Sequence, residues 1–282
     1  MTSAANRKPG LIITADDFGL HASVNLAVER AHREGVLSAA SLMVAAPAAA
    51  DAIERARANP SLRVGLHLVL ADGRALLPPD AIPDLVDAHG RFGDRMAYEG
   101  ARFFFLPRVR RQLAAEIHAQ FKAFAASGLA LDHVNTHKHF HLHPTILSLM
   151  IDIGRPFGLR AIRLPRENGL PLLLKPWLAL LRRKLDAAGI AHNDTMAGIQ
   201  HSGKFDEAAL LETLAHLPGK GVVEIYLHPA LISGAEIGAS MATYRHADEF
   251  AALISPRVRL ALDRLGQRGF RLGGFSDLVS LK

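Results

Sequence analysis

Among its 282 residues the chain has no cysteine, so disulfides and thiolate metal sites are both excluded. Any bound metal must be held by histidine, carboxylate or carbonyl oxygen. Aromatic residues are scarce at 6%, and no aromatic-basic stripe of the kind that stacks bases is present. Basic residues exceed acidic ones by 33 to 27 but are scattered. The clusters Arg108-Arg110-Arg111 and Arg182-Arg183-Lys184 read as solvated helix faces, so nucleic acid is not an expected partner. No segment approaches the roughly 18 apolar residues that span a bilayer. The apolar run from Leu11 to Ala15 is also shorter than the roughly 7–15 residues of a signal-peptide core, which makes the cytoplasm the expected location.

What is present is a balance of 49% apolar and 21% charged residues, suited to a folded chain with a substantial core. Leu11-Ile12-Ile13-Thr14-Ala15 reads as a strand buried on both faces. The helix that follows carries Val24, Ala27, Val28 and Ala31 on one face, with Ser23 as its expected cap and Gly35 beyond its end. Further strands are expected at Ala39 to Ala45, Leu62 to Leu70, Leu131 to Asn135, Ala161 to Leu164, Val222 to Leu227 and Phe270 to Gly273. Helices are expected at Ala48 to Ala58 and Pro107 to Ala126. This alternation predicts an α/β fold around a parallel sheet, open or closed. With no repeat, linker or shift in composition, residues 1–282 read as one domain. Ala71 to Tyr98, rich in proline and glycine, reads as a long excursion or lid. Leu170 to Leu181 (LPLLLKPWLALL) reads as a core helix broken by proline, or as an apolar surface for a lipid-like substrate or a peripheral membrane contact.

The chemistry-bearing residues gather at strand ends, where parallel α/β folds bind ligands. Asp16 and Asp17 sit where the first strand runs out. On an extended backbone they point to different sides, so one can ligate an ion while the other faces the reacting group. Five of the fifteen histidines lie between Asp132 and Pro144. Of these His137, His139, His141 and His143 share a period of two; if the segment is helical, His137 and His141 are the neighbours instead. Either geometry supplies an imidazole pair to a metal. His67 interrupts an apolar strand and must find a polar partner there, and His228 follows Leu227 at another strand end.

Taken in order, Ala15-Asp16-Asp17-Phe18-Gly19, Val64-Gly65-Leu66-His67-Leu68, Asn135-Thr136-His137-Lys138-His139-Phe140-His141, Arg163-Leu164-Pro165-Arg166-Glu167 and His228-Pro229 resemble the motifs of the YdjC-like carbohydrate deacetylases, across nearly the whole chain. The extended run to His143-Pro144, with Tyr244-Arg245-His246, resembles the hopanoid-biosynthesis-associated branch (HpnK). The resemblance implies a (β/α)-barrel-like, TIM-barrel-related polysaccharide-deacetylase fold. It implies Asp17, His67 and His137 as metal ligands, Asp16 as base and His228 as acid. Arg163, His139, His141 and Asn135 match positions near the site. Two departures stand out: the usual Asp-Ser-His is Asn135-Thr136-His137 here, and the usual His-Pro-Gly is His228-Pro229-Ala230.

The implied reaction is removal of the N-acetyl group from an N-acetylglucosamine, in the hopanoid branch one carried on bacteriohopanetetrol, with a chitooligosaccharide as the alternative substrate. One divalent ion is expected, zinc before cobalt, nickel or magnesium, because two imidazoles suit a borderline ion better than a hard one. A metal phosphoesterase and a non-catalytic metal- or lipid-binding barrel are the rival readings.

Overall fold

The computed structural model describes residues 9–167, 169 and 171–279. Its strands are β1 (Gly10–Phe18), β2 (Ala39–Leu42), β3 (Arg63–Leu68), β4 (Val134–Thr136), β5 (Thr195–Ala197), β6 (Val222–Leu227) and β7 (Arg271–Leu272). All pair in parallel in the order β4-β3-β2-β1-β6-β5, with β7 alongside Gly10 and Leu11 of β1. The helices are α1 (Ala22–Arg33), α2 (Ala49–Ala58), α3 (Met96–Phe105), α4 (Pro107–Ala126), α5 (Pro144–Gly154), α6 (Leu174–Ala188), α7 (Glu207–Ala215), α8 (Gly234–Ile237), α9 (His246–Leu253), α10 (Pro256–Gln267) and α11 (Phe275–Leu278).

The segment expected as a strand from Ala161 to Leu164 forms only isolated parallel bridges, Val134 with Ile162 and Ala161 with Ala191. It nonetheless takes a strand's place. Arg163 N–H donates to Val134 O, and Met196 N–H donates to Arg166 O, so the chain between β4 and β5 completes the ring as a (β/α)-barrel-like structure.

Alternation along the strands sorts residues to the two sides of this ring. Leu11, Ile13 and Ala15 join the main core beneath the helices. Ile12 joins a separate apolar cluster with Ala39, Ala161, Ala191, Val222, Phe275 and Val279, which forms the floor of the interior, closed by α11. Two residues further along the same segments stand Thr14, Ser41, Arg163 and Glu224, all fully buried and polar. The interior is thus apolar only at its floor, and every buried polar group above it needs a partner.

Several local expectations are corrected. The cap of α1 is the His21 side chain, which accepts from Ser23 N–H; the helix starts one residue before Ser23. Residues 71–95 run as a long excursion that is tied to α4. The Leu76 and Leu77 N–H groups donate to the Glu116 carboxylate at 2.8 and 2.9 Å, and Ile82, Leu85 and Phe92 are buried. Proline does not break α6: Pro176 lies in its first turn, where a missing N–H is harmless. Leu178, Leu181 and Leu185 face the core, while Leu172 and Leu173 are 74% and 90% exposed. Leu170 lies outside the described residues.

Candidate metal centre

The pairing of β1 with β2 shifts register between Ala15 and Phe18, and Asp17 adopts φ 62°, a left-handed conformation that aspartate tolerates better than most residues. This irregularity replaces the simple alternation expected from the sequence. Asp16 and Asp17 both line the cavity at the C-terminal mouth of the ring, together with His67, His137, His139, Tyr226, His228 and Tyr244. None of residues 71–98 lines it.

Asp17, His67 and His137 each offer one ligand atom, all within 4.8 Å of one another. Asp17 Oδ1 lies 3.2 Å from His67 Nε2 and 3.0 Å from His137 Nδ1. Asp17 Oδ2 is buried with no hydrogen-bond partner, an expensive omission unless something else meets it. An orphaned carboxylate oxygen beside two converging imidazoles is the donor set that a divalent ion requires, so these residues fit the metal that the resemblance implies. Burial lowers the His67 pKa, but Asp16 and Asp17 overcome it and leave it raised. Protons therefore compete with any metal for this ring.

Asp16 lies beneath, held by Arg163 through Nη1–Oδ2 at 2.5 Å and Nη2–Oδ1 at 2.9 Å. Burial works against its charge, yet Arg163 and His67 hold its carboxyl well below the usual carboxylate range. Arg163 is itself fully buried and also donates to Glu224 at 2.8 and 2.9 Å. Thr14 Oγ1 donates to Glu224 at 2.8 Å, and the guanidinium lies 4.9 Å from the Tyr226 ring centroid. The Glu224 carboxylate was not among the sequence candidates. Its signal was a charge at the middle of the apolar run Val222 to Leu227, the same anomaly that exposed His67.

The histidine cluster divides. After His137 the chain turns through left-handed backbone at Lys138 and His139, with φ 56° and 53°, and the period-two face is lost. His139 Nε2 meets the Tyr226 hydroxyl at 3.1 Å and lines the cavity. His141 is buried outside the lining and ties Thr136 Oγ1 to the Arg163 carbonyl at 2.8 and 2.9 Å. His143 packs among Phe103, Phe104 and Phe140. Asn135 touches His67 Nδ1 at 2.6 Å, Ser41 Oγ at 2.9 Å and Asp16 Oδ1 at 3.3 Å.

His228 stands across the cavity, with its N–H donating to Glu249 and its carbonyl accepting from His246 Nδ1. Its Nδ1 is buried without a hydrogen-bond partner, 3.9 Å from Glu249 Oε2. Burial pushes its pKa down to about 4, against the pull of Asp17 and Asp16, so the ring is neutral near pH 7. Burial also pushes the Glu249 carboxyl up to about 7, despite the N–H donors of His228 and Phe205.

Comparison with known proteins gives the family. The profile of the YdjC-like protein family matches residues 10–264. A carbohydrate deacetylase of Brevibacillus brevis is 31% identical over 88% of this chain and 92% of its own length. A chitooligosaccharide deacetylase of Yersinia pestis is 32% identical over 95% and 98%. The crystal structure of an Enterococcus faecalis V583 protein, assigned provisionally to cellobiose-phosphate cleavage, superposes with a TM-score of 0.77 at 26% identity, covering 98% of this chain and all of that one. The chain belongs to the YdjC-like family.

Proposed function

We propose that the chain is a carbohydrate deacetylase that hydrolyses the N-acetyl group of an N-acetylglucosamine unit, with Asp17, His67 and His137 holding one divalent ion. The observation that carries this reading is the unpartnered, buried Asp17 Oδ2 among three converging ligand groups, beside a second carboxylate kept ionised. Zinc suits two imidazoles and a carboxylate best. When bound, such an ion supplies Lewis acidity toward an amide carbonyl and makes water more acidic.

Asp16 accepts the proton of the attacking water as the new C–O bond forms. Its low proton affinity makes it a weak base but keeps it available at every pH where the ligands are free. The amide C–N bond then breaks and the amine nitrogen takes a proton. His228, neutral at rest, receives the water's proton from Asp16 and passes it to that nitrogen, which returns Asp16 to its carboxylate and His228 to its neutral form. Arg163 holds Asp16 in one orientation by its bidentate pair.

The names of the relatives favour a chitooligosaccharide as substrate. Our finer reading is the bacteriohopanetetrol-linked sugar, whose apolar body the exposed side chains Phe104, Phe105, Leu172 and Leu173 could meet, at 49%, 73%, 74% and 90% exposure. The same exposed side chains would serve a peripheral membrane contact. No helix among the described residues is long and apolar enough to cross a membrane.

Phosphate chemistry is disfavoured by the cavity lining. Lys138, the cation among the lining residues, is tied to Asp72 at 2.7 Å, and Arg163 is spent on two carboxylates. Zinc-loaded protein is expected to release acetate from N,N′-diacetylchitobiose or from acetylglucosaminyl-bacteriohopanetetrol, read by mass spectrometry as an acetyl exchanged for hydrogen. Release of phosphate from sugar phosphates without acetate from either substrate would overturn the assignment. Leu173→Ser with Phe105→Ser should slow only the lipid-borne substrate; equal rates on it would remove the hopanoid reading.

A further inference from the structure

Helix α3 is apolar on two sides, and only one of them faces the protein. Gly100 and Phe103 turn inward and are buried. A Cβ at Gly100 would lie 3.2 Å from the His143 ring, and the Phe103 ring centroid lies 5.5 and 6.3 Å from those of Phe140 and His143. The opposite stripe, Ala97, Tyr98, Ala101, Phe104 and Phe105, is exposed. Its spacing of i, i+1, i+4, i+7 and i+8 lays the five side chains along one helical face, and Leu106 carries the face into the corner before α4. Tyr98, Phe104, Phe105 and Leu106 are 53%, 49%, 73% and 45% exposed. Apolar residues scattered singly over a surface need no explanation, but a contiguous stripe marks a place where something docks.

Charge, backbone and position narrow what that is. Residues 94–111 hold five arginines, at 95, 102, 108, 110 and 111, against two acids, Asp94 and Glu99. Arg102 pairs Glu99 at 2.9 Å and Arg108 pairs Asp84 at 2.8 Å, while Arg95, Arg110 and Arg111 are exposed. Arginine stems lie along apolar surface with their heads in water. Arg95 and Arg102 do so over the Tyr98 ring, 4.9 and 5.5 Å from its centroid. An apolar stripe rimmed by arginine suits an anionic interface. A second copy of this chain suits it poorly, because a two-fold axis sets the same arginines against their own kind.

A helix end that enters apolar surroundings must also have its carbonyls satisfied. Here Arg110 donates to the carbonyls of both Phe103 and Phe104, and Leu106 N–H donates to Arg102 O at 2.9 Å. The corner meets that condition before anything docks. Phe140 and His143, the residues on which α3 packs, belong to the turn after β4 that also carries His137 and His139.

We propose that the exposed stripe of α3, with Leu106 and the arginines around it, docks the chain peripherally on a bilayer that contains anionic phospholipid. The aromatic and aliphatic side chains enter the headgroup boundary and the guanidinium groups meet the lipid phosphates. The inference deepens the peripheral contact named above by fixing its segment and the charge of its lipid. It rests on no step of the hydrolysis, so vesicle binding can fail while acetate release stands, and the reverse.

The test is flotation of metal-free protein with vesicles, in which neither zinc nor turnover enters. The parent chain is expected to bind vesicles of phosphatidylcholine mixed with phosphatidylglycerol, and to bind pure phosphatidylcholine at least about tenfold more weakly. Phe104→Ser with Phe105→Ser is expected to weaken binding to the mixed vesicles at least about tenfold. Arg111→Ser is expected to weaken it about fivefold, the factor for one basic side chain near an anionic surface. Added salt should shrink the arginine effect, since exposed charges are screened, and leave the phenylalanine effect in place. Both variants change exposed side chains, so their unfolding midpoints should match the parent's. Equal binding to the two kinds of vesicle, no binding to either, or binding unmoved by the phenylalanine pair would overturn the proposal. So would a dimer in lipid-free solution that Phe104→Ser with Phe105→Ser dissociates, because the stripe would then join two copies of the chain.

Discussion

Replacing Arg163 by leucine removes one cation from between two buried carboxylates, and the structure sets both the size and the pH dependence of the result. Arg163 is fully buried, with bidentate contacts to Asp16 at 2.5 and 2.9 Å and to Glu224 at 2.8 and 2.9 Å. Removing one partner of such a pair typically destabilises by about 3–5 kcal/mol, because a buried charge is left without compensation. At roughly 2–4 °C per kcal/mol, Arg163→Leu is expected to lower Tm by about 6–20 °C near pH 8. The sign of the pH effect reverses between the two proteins. In the parent chain Asp16 is depressed below its ordinary value of 3.8, so its contribution is present above that value and is lost on acidification. Without Arg163 the buried Asp16 carboxyl titrates above 3.8, so the folded variant binds the extra proton and loses stability as pH rises through that new value. The gap between parent and variant should therefore be widest near pH 8 and should shrink toward pH 5. Glu224→Gln, which keeps Asp16 paired, should cost only about 1–3 kcal/mol. Urea unfolding of chelated protein at both pH values measures all of this. A gap that is independent of pH, or a Tm shift of a degree or less, would show that Arg163 does not hold Asp16 as described.

Asp16→Asn is expected to keep zinc affinity within about tenfold while losing roughly 10²–10⁴-fold in turnover, whereas His67→Ala and His137→Ala lose both; calorimetric titration with zinc beside an acetate-release assay separates the two patterns. Chelation should abolish turnover, and zinc restored at 100 times its Kd should raise the unfolding free energy by about 2.7 kcal/mol; a Tm unaffected by zinc would contradict the Asp17, His67 and His137 site. Glu249, pushed up to about 7 from 4.5, binds its proton more tightly folded than unfolded. Its stabilising effect is complete below pH 4.5 and fades by about 3 kcal/mol as pH rises through 7; the pH–stability slope of Glu249→Gln over that window should lack this fall.

The strands and helices with strong apolar periodicity were legible from sequence because burial on both faces, or along one stripe, dictates their composition. Val222 to Leu227 and Pro107 to Ala126 appear at their expected bounds. Ala161 to Leu164 differs from the expected regular strand, forming only isolated bridges. Its interior positions are Ala161 and Arg163, and the Arg163 guanidinium, not ladder pairing, fixes the segment to Asp16 and Glu224. The cap of α1 and the fate of Ala71 to Tyr98 were hidden for a related reason: both depend on single side chains, His21 and Glu116, reaching backbone groups far from where periodicity gives information.

The candidate site shows the same division between what spacing can carry and what needs the third dimension. Period two in His137, His139, His141 and His143 promised a shared face, but it holds only for extended backbone, and the left-handed turn at Lys138 and His139 sends His139 to Tyr226 and His143 into an aromatic nest. His67 and Glu224, by contrast, were conspicuous because each breaks an apolar strand, and a buried polar group in such a place demands a partner. Reading the strands every second residue gives the rule that unites them: Ile12 and Val222 at the floor, Thr14 and Glu224 above, Asp16 and Tyr226 higher, and His228 at the rim. Polarity rises along the interior toward the mouth. The departure at Asn135 belongs to this ladder too. With its nitrogen toward His67 Nδ1 at 2.6 Å and its oxygen toward Ser41 Oγ at 2.9 Å and Arg163 at 2.9 and 3.0 Å, the amide answers every neighbour at once, an agreement that spacing in the sequence cannot show.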